Sequence, residues 1–253
     1  MRELHQRLAG AGIRRTPWLT LAVFVLTAVP SVAQVPFPAL LPDLERTPAG
    51  LTGQWWRSLT SLTVQDGGVV GTLPNLLFLL VIGMLAEQVL TRPRWLALYL
   101  LPGLAGEFAA YSWQPTGAGN SVAVSGLAGA LAVLILRGRR PVAMATPYAV
   151  LLWAGVLVAT ANAIAGGLII AATCVLPRLA ASRRIPVAAI AAIAGAAVLA
   201  CGAGLAAEQN IHGAALLAGG LIGLAIAGPG RGSPGSDPHE RGHDHRDPAV
   251  SAR

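Results

Sequence analysis

Apolar residues in this chain fall into long runs, each closed by a short polar or arginine-bearing segment. The runs cover residues 18–35, 69–90, 95–113, 121–136, 142–179, 186–205 and 211–227. Most approach or exceed the ~18 residues that carry a helix across a bilayer. The stretch 142–179 is too long for one span and suits a tight pair, 142–160 and 163–179, meeting near Asn162. The pattern therefore predicts an all-α polytopic membrane protein with about eight transmembrane helices. Residues 36–68 interrupt the series. Pro36, Pro38, Pro42 and Pro48 break any early helix there, and Trp55-Trp56-Arg57 suits a membrane–water interface. An interfacial loop over 36–68 is expected, turned downward by Asp66-Gly67-Gly68. From Gly228 onward Pro, Gly, His, Asp and Arg dominate, which predicts a membrane domain over 1–227 and a disordered cytoplasmic tail over 228–253.

Composition agrees: 54% of the 253 residues are hydrophobic and only 11% are charged. Mean hydropathy is +0.62. All 18 basic residues are arginines. Without lysine there is no Schiff-base lysine, no P-loop lysine and no Ser-Lys dyad. The formal charge of +7 is spread in clusters between apolar runs, which signals topology rather than a nucleic-acid face. Clusters at 2–15, 92–94, 137–140, 178–184 and 231–253 alternate with arginine-poor loops. Placing them inside puts both termini in the cytoplasm, in the plasma (inner) membrane. Arg46 and Arg57, in the first loop, are the exception. Run 18–35 also has the look of a signal peptide, with a small-residue site at Ser31-Val32-Ala33; a retained first helix fits the charge alternation better. Cys174 and Cys201 lie in apolar runs and read as small core residues. No cofactor and no metal are expected. In the tail, His239, His243 and His245 offer metal-ligand chemistry, against the simpler reading of a solvated segment.

Chemistry enters through three residues near the outer ends of their helices. Asn75, Ser125 and His212 each lie two to seven residues inside a polar break, roughly 3–10 Å below the interface at 1.5 Å per residue. His212 is the only histidine in an apolar run. A serine and a histidine suffice for acyl transfer: the imidazole takes the hydroxyl proton and returns it to the leaving amine. Ser125 is the candidate nucleophile and His212 the candidate base. The backbone N–H of Ser125 and the side-chain amide of Asn75 are candidate oxyanion donors. The alternative for Ser125 is helix packing, since small residues are common at membrane helix interfaces. Gly126 and Gly129 on one helix, with Gly213, Gly219 and Gly223 on another, would let the two approach. Glu107, a carboxyl at membrane depth, requires a partner or a wet cavity, or else a protonated or snorkelling state.

These residues resemble those of the rhomboid family of intramembrane serine proteases, over about 55–137 and again at 210–223. Trp56-Arg57 resembles the family's Trp-Arg motif, and Asn75 matches the asparagine of His-xxx-Asn. Gly83-xxx-Glu87 and Leu100-Leu101-Pro102-Gly103-Leu104-Ala105-Gly106 resemble stretches on the same two helices. Ala123-Val124-Ser125-Gly126 falls where Gly-x-Ser-Gly is expected, and His212 with Gly219 falls on the histidine helix. The chain departs from the pattern at Gly71 (for histidine), Ala123 (for glycine) and Ala215 (for glycine). Ala123 adds a methyl group that would crowd a substrate backbone. The 87 residues from Ser125 to His212 exceed what one intervening helix needs. The resemblance implies a rhomboid-like bundle, a six-helix core plus an inserted pair. It also implies an endopeptidase cutting transmembrane segments of membrane proteins. Its partners are then transmembrane protein substrates or clients and the lipid bilayer, with no nucleic acid. The departures at Gly71 and Ala123 keep open a catalytically inactive relative that binds membrane segments. A small-solute transporter on broken helices is the remaining alternative; it predicts an internal repeat.

Overall fold

The computed structural model describes residues 15–138, 143–182 and 185–227. The tail with His239, His243 and His245 lies outside the described residues, as does most of the N-terminal arginine cluster. Eight long helices stand among the described residues. They are α1 (Trp18–Ala33), α2 (Gly68–Val89), α3 (Arg92–Trp113), α4 (Ser121–Leu136), α5 (Thr146–Ala161), α6 (Ala163–Ala181), α7 (Val187–Ala207) and α8 (Ile211–Ala227). Three of them, α2, α6 and α7, are long and apolar enough to cross a membrane by length and composition. Four others, α1, α4, α5 and α8, are apolar but shorter. The protein is an all-α bundle with membrane-embedded helices.

Local sequence explains the helix bounds. α3 begins at Arg92 rather than the expected Trp95, because Thr91 is extended and Pro93 occupies the first turn, where its missing N–H costs nothing. α5 begins at Thr146 with Pro147 in its first turn. At Asn162 the backbone leaves the helical region (φ −144°, ψ 101°), and the side chain accepts from Ala165 N at 3.0 Å. Asn162 thus stops α5 and caps α6 in a single residue.

α4 is the axis. Every residue from Ser121 to Ile135 is buried, as befits a helix that is apolar all round. It packs most extensively on α8 and α3, then on α7, α2 and α5. α1 leans on α2, and α6 covers the outside of α5. The α4–α8 crossing depends on glycine. A Cβ at Gly129 would lie 1.9 Å from the Leu216 carbonyl oxygen, and one at Gly219 would lie 2.0 Å from that of Gly126. Gly126 also faces Pro102 of α3, and Gly106 of α3 meets Val122 and the Ile211 carbonyl. Backbones therefore touch on both sides of α4, and helix ends that are remote in sequence are brought together.

At the opposite end of α2, Glu87 is buried and caps α1. Its Oε1 accepts from Leu19 N (3.0 Å) and its Oε2 from Thr20 N (2.8 Å) and Thr20 Oγ1 (2.8 Å). Pro17, ahead of α1, offers no cap of its own. Gly83, one turn earlier, leaves room for Thr20: a Cβ there would meet Thr20 Cγ2 at 2.7 Å. The Gly83-xxx-Glu87 spacing is thus the docking site for the first helix.

The loop between α1 and α2 contains short helical turns at Leu40–Leu44, Pro48–Thr52 and Arg57–Thr60. Trp55 and Trp56 are exposed and meet edge to face. The rest folds inward. Arg57 donates to the Pro42 and Glu45 carbonyls and to Gln54 Oε1. Arg46 exchanges backbone hydrogen bonds with Gly117, which ties this loop to the one entering α4. The two arginines that break the charge alternation are therefore used in tertiary structure.

Candidate functional site

Asn75, Ser121 and His212 sit near the N-terminal ends of α2, α4 and α8, at one end of the bundle. They line a cavity of about 130 Å³, together with Arg46, Asp66 and Glu107. The hydroxyl that meets the histidine is that of Ser121: its Oγ is 2.9 Å from His212 Nε2. The expected pairing of Ser125 with His212 is not what the structure shows. Ser125 lies one turn deeper, fully buried, and donates to the Ser121 carbonyl at 2.7 Å. Its Oγ in turn accepts from the Trp153 indole of α5 at 3.2 Å. No part of Ser125 lines the cavity.

A sequence signal for Ser121 existed. Gly119-Asn120-Ser121-Val122 also fits Gly-x-Ser-Gly, keeping the first glycine and losing the second. Gly119 has φ +153°, where a side chain would be strained, and its N–H donates to the Ser61 carbonyl at 2.9 Å. The chain can then turn sharply into α4 with Ser121 as its first residue. The first N–H groups of a helix have no intrahelical acceptor, and Ser121 and Val122, which carry two of those of α4, line the cavity. In this register Ala123 is one of the buried residues of α4. Its methyl packs beside Gly103 of α3, where a Cβ would come within 3.0 Å of it.

Asn75 is present but engaged. Its Nδ2 donates to Gln65 Oε1 at 2.8 Å, Gln65 Nε2 donates to Asn120 Oδ1 at 2.7 Å, and Gln34 holds the Gln65 backbone from α1's end. Neither Gln65 nor Asn120 was singled out from sequence. Gly71, one turn before Asn75, adds no side chain, and a Cβ there would meet nothing within 4 Å.

His212 is also held from its other side. Asn210 Oδ1 lies 2.8 Å from His212 Nδ1 and accepts from the His212 backbone N–H at 3.0 Å. Glu107 has its partner: Arg46 Nη1 reaches its Oε2 at 2.5 Å, and Ser61 Oγ donates to the same oxygen at 2.9 Å. Both members of this ion pair are almost wholly buried. Arg46 Nε and Nη2 donate to the Gln114 carbonyl, and Nη2 also to that of Thr116. Among the described residues no group of three His, Cys, Asp or Glu is placed to hold a metal ion.

Comparison with known proteins bears on this arrangement. No solved structure matches the chain. Rhomboid protease GluP of Bacillus subtilis (strain 168) is 34% identical over 89 residues. That stretch is 35% of this chain but only 17% of the relative's own length. The family model for the rhomboid domain matches residues 52–231, which take in α2 to α8 and every residue lining the cavity except Arg46. With well over half of its length inside that match, the chain belongs to the rhomboid family.

Proposed function

We propose that this rhomboid is an intramembrane serine endopeptidase in which Ser121 is the nucleophile and His212 the general base. The observation that carries this reading is the 2.9 Å contact of Ser121 Oγ with His212 Nε2 at the wall of a polar cavity. In the reaction, Nε2 takes the hydroxyl proton as Oγ attacks a scissile carbonyl. The tetrahedral oxyanion lies against the free first-turn N–H groups of α4 and the second N–H of the Asn75 amide. His212 then passes its proton to the leaving amine, and a cavity water, activated by the same imidazole, hydrolyses the acyl-enzyme. Ser125 acts beneath the nucleophile, through the Ser121 carbonyl.

The substrates are transmembrane segments of membrane proteins. A hydrogen-bonded helix hides its carbonyls, so such a segment must unwind locally to reach Ser121. The eight long helices span the inner membrane with both termini cytoplasmic, six forming the core and α5–α6 the inserted pair. α4 supports this depth: 16 residues make about 24 Å of helix against a ~30 Å hydrocarbon core. If Leu136 lies at the cytoplasmic surface, Ser121 stops short of the outer one, in reach of water only through the cavity.

A second reading, an inactive relative that binds membrane segments without cutting them, is favoured by the oxyanion side. Gly71 supplies no donor, and one N–H of the Asn75 amide is committed to Gln65. Fluorophosphonate labelling of the purified protein separates the two. Labelling lost in both Ser121→Ala and His212→Ala supports the protease. A folded parent that takes no label supports the inactive relative.

A further inference from the structure

His212 is gripped on both ring nitrogens, and the second grip comes from two residues away. α7 ends at Ala207, Gln209 takes a left-handed backbone (φ 57°), and Asn210 follows with its N–H on the Leu205 carbonyl at 2.9 Å. Its own carbonyl accepts from Gly213 N at 3.0 Å. The Asn210 backbone is therefore anchored to both helices. Its side chain is the N-terminal cap of α8, accepting the His212 N–H.

That cap decides which way the amide faces. A backbone N–H only donates, so the atom opposite it is the amide oxygen, Oδ1. The same Oδ1 is 2.8 Å from His212 Nδ1. An amide oxygen only accepts, so Nδ1 must carry the imidazole proton. In the neutral ring Nε2 then holds the lone pair, directed at the Ser121 hydroxyl 2.9 Å away. The local geometry selects the tautomer that base catalysis needs.

We propose that Asn210 is a positioning residue for the reaction, fixing the tautomer and plane of His212 so that Nε2 is always the acceptor for Ser121. Ser121, His212 and Asn210 then form a hydrogen-bonded triad in which an uncharged amide takes the place of the orienting carboxylate. This rests on Ser121 and His212 being the reacting pair. The bare alternative is a helix cap that happens to touch the ring. Serine at 210 distinguishes them, because it retains a capping oxygen but is too short to reach Nδ1.

The test compares the parent with Asn210→Ser and Asn210→Asp in detergent. Two readouts are used: nitrogen-15 shifts of the imidazole, assigned with His212→Gln, and the rate of fluorophosphonate labelling. The parent should show protonated Nδ1 and bare Nε2. Asn210→Ser should melt near the parent, lose the single tautomer and label about tenfold more slowly or worse. Asn210→Asp, which keeps an acceptor on Nδ1, should label faster than Asn210→Ser. A parent with its proton on Nε2, or an Asn210→Ser protein with the parental tautomer and rate, overturns the proposal. If the folded parent takes no label, the protease reading fails, and the tautomer measurement still decides whether Asn210 orients the ring.

Discussion

The Ser125 hydroxyl donates to the Ser121 carbonyl at 2.7 Å, so the deeper serine supports the peptide that carries the upper one. The two are one helical turn apart on one face of α4. Only the upper meets His212. Replacing each with alanine should therefore give opposite results. Ser121→Ala should abolish fluorophosphonate labelling. Ser125→Ala should still label, and should lose about 1 kcal/mol of stability because the Trp153 indole is left without its acceptor. Labelling rates and thermal melting on the two proteins check this. Labelling lost with Ser125 and kept without Ser121 would restore the deeper serine as nucleophile.

Why the sequence points to Ser125, one turn below the serine that meets His212, is a matter of resolution. The long apolar runs and their polar breaks were readable, and with them an all-α membrane bundle. Depth was readable only to within two to seven residues of a break, which cannot separate serines four apart. The motif did not separate them either, since Gly-x-Ser-Gly fits 119–122 and 123–126 equally badly, each missing a different glycine. What decides is where the N-terminus of α8 stands against α4. That depends on Gly106, Gly126, Gly129 and Gly219 letting three helices touch. Arg46 was likewise opaque: as an outer-loop arginine it violated the charge alternation, and only the fold reveals Glu107 as its partner.

That partnership is exposed to a direct test. Arg46 and Glu107 are both buried, and losing one partner of such a pair leaves an uncompensated charge, at a cost of about 3–5 kcal/mol. Arg46 also joins the first loop to Gly117, just ahead of α4. Arg46→Ala should lower the melting temperature sharply and slow labelling of Ser121 as well. Combining it with Glu107→Gln should recover part of the melting temperature, because the stranded carboxylate is gone. Melting curves of the single and double variants decide it; equal loss in both would show that the charge pairing is not the source.

The α4–α8 crossing makes a second structural prediction. At Gly219 an added methyl would sit 2.0 Å from the Gly126 carbonyl oxygen, a backbone atom that cannot swing away. The helices must separate, and overpacking of this kind costs about 1–3 kcal/mol. His212 lies two turns up the same helix, so the separation also reaches the Ser121 contact. Gly219→Ala should be both less stable and slower to label. Gly204→Ala, on α7 with nothing within 4 Å of an added Cβ, should lose no stability and label at the parental rate. If the two variants behave alike, close helix approach does not set the site.

The last prediction concerns the oxyanion side of the proposed reaction. Gly71 precedes Asn75 by four residues, so both project from one face of α2, and a Cβ at 71 meets no atom within 4 Å. The space for a longer side chain is therefore already there. A histidine could place its ring beside the Asn75 amide, where an oxyanion would form. One such donor is worth roughly 10²–10³ in rate when removed from a working site. Gly71→His should therefore raise turnover of a membrane-embedded peptide substrate, with the gain in kcat rather than KM, because the donor acts on charge that exists only in the transition state. The helix should also gain slightly in stability, since glycine is a poor interior residue. The decisive control is Gly71→Ala, which shares the helix effect and supplies no donor. A rise in kcat common to both would come from the backbone. A rise confined to histidine would mean that this rhomboid works with an oxyanion site one donor short, and that the shortfall limits its rate.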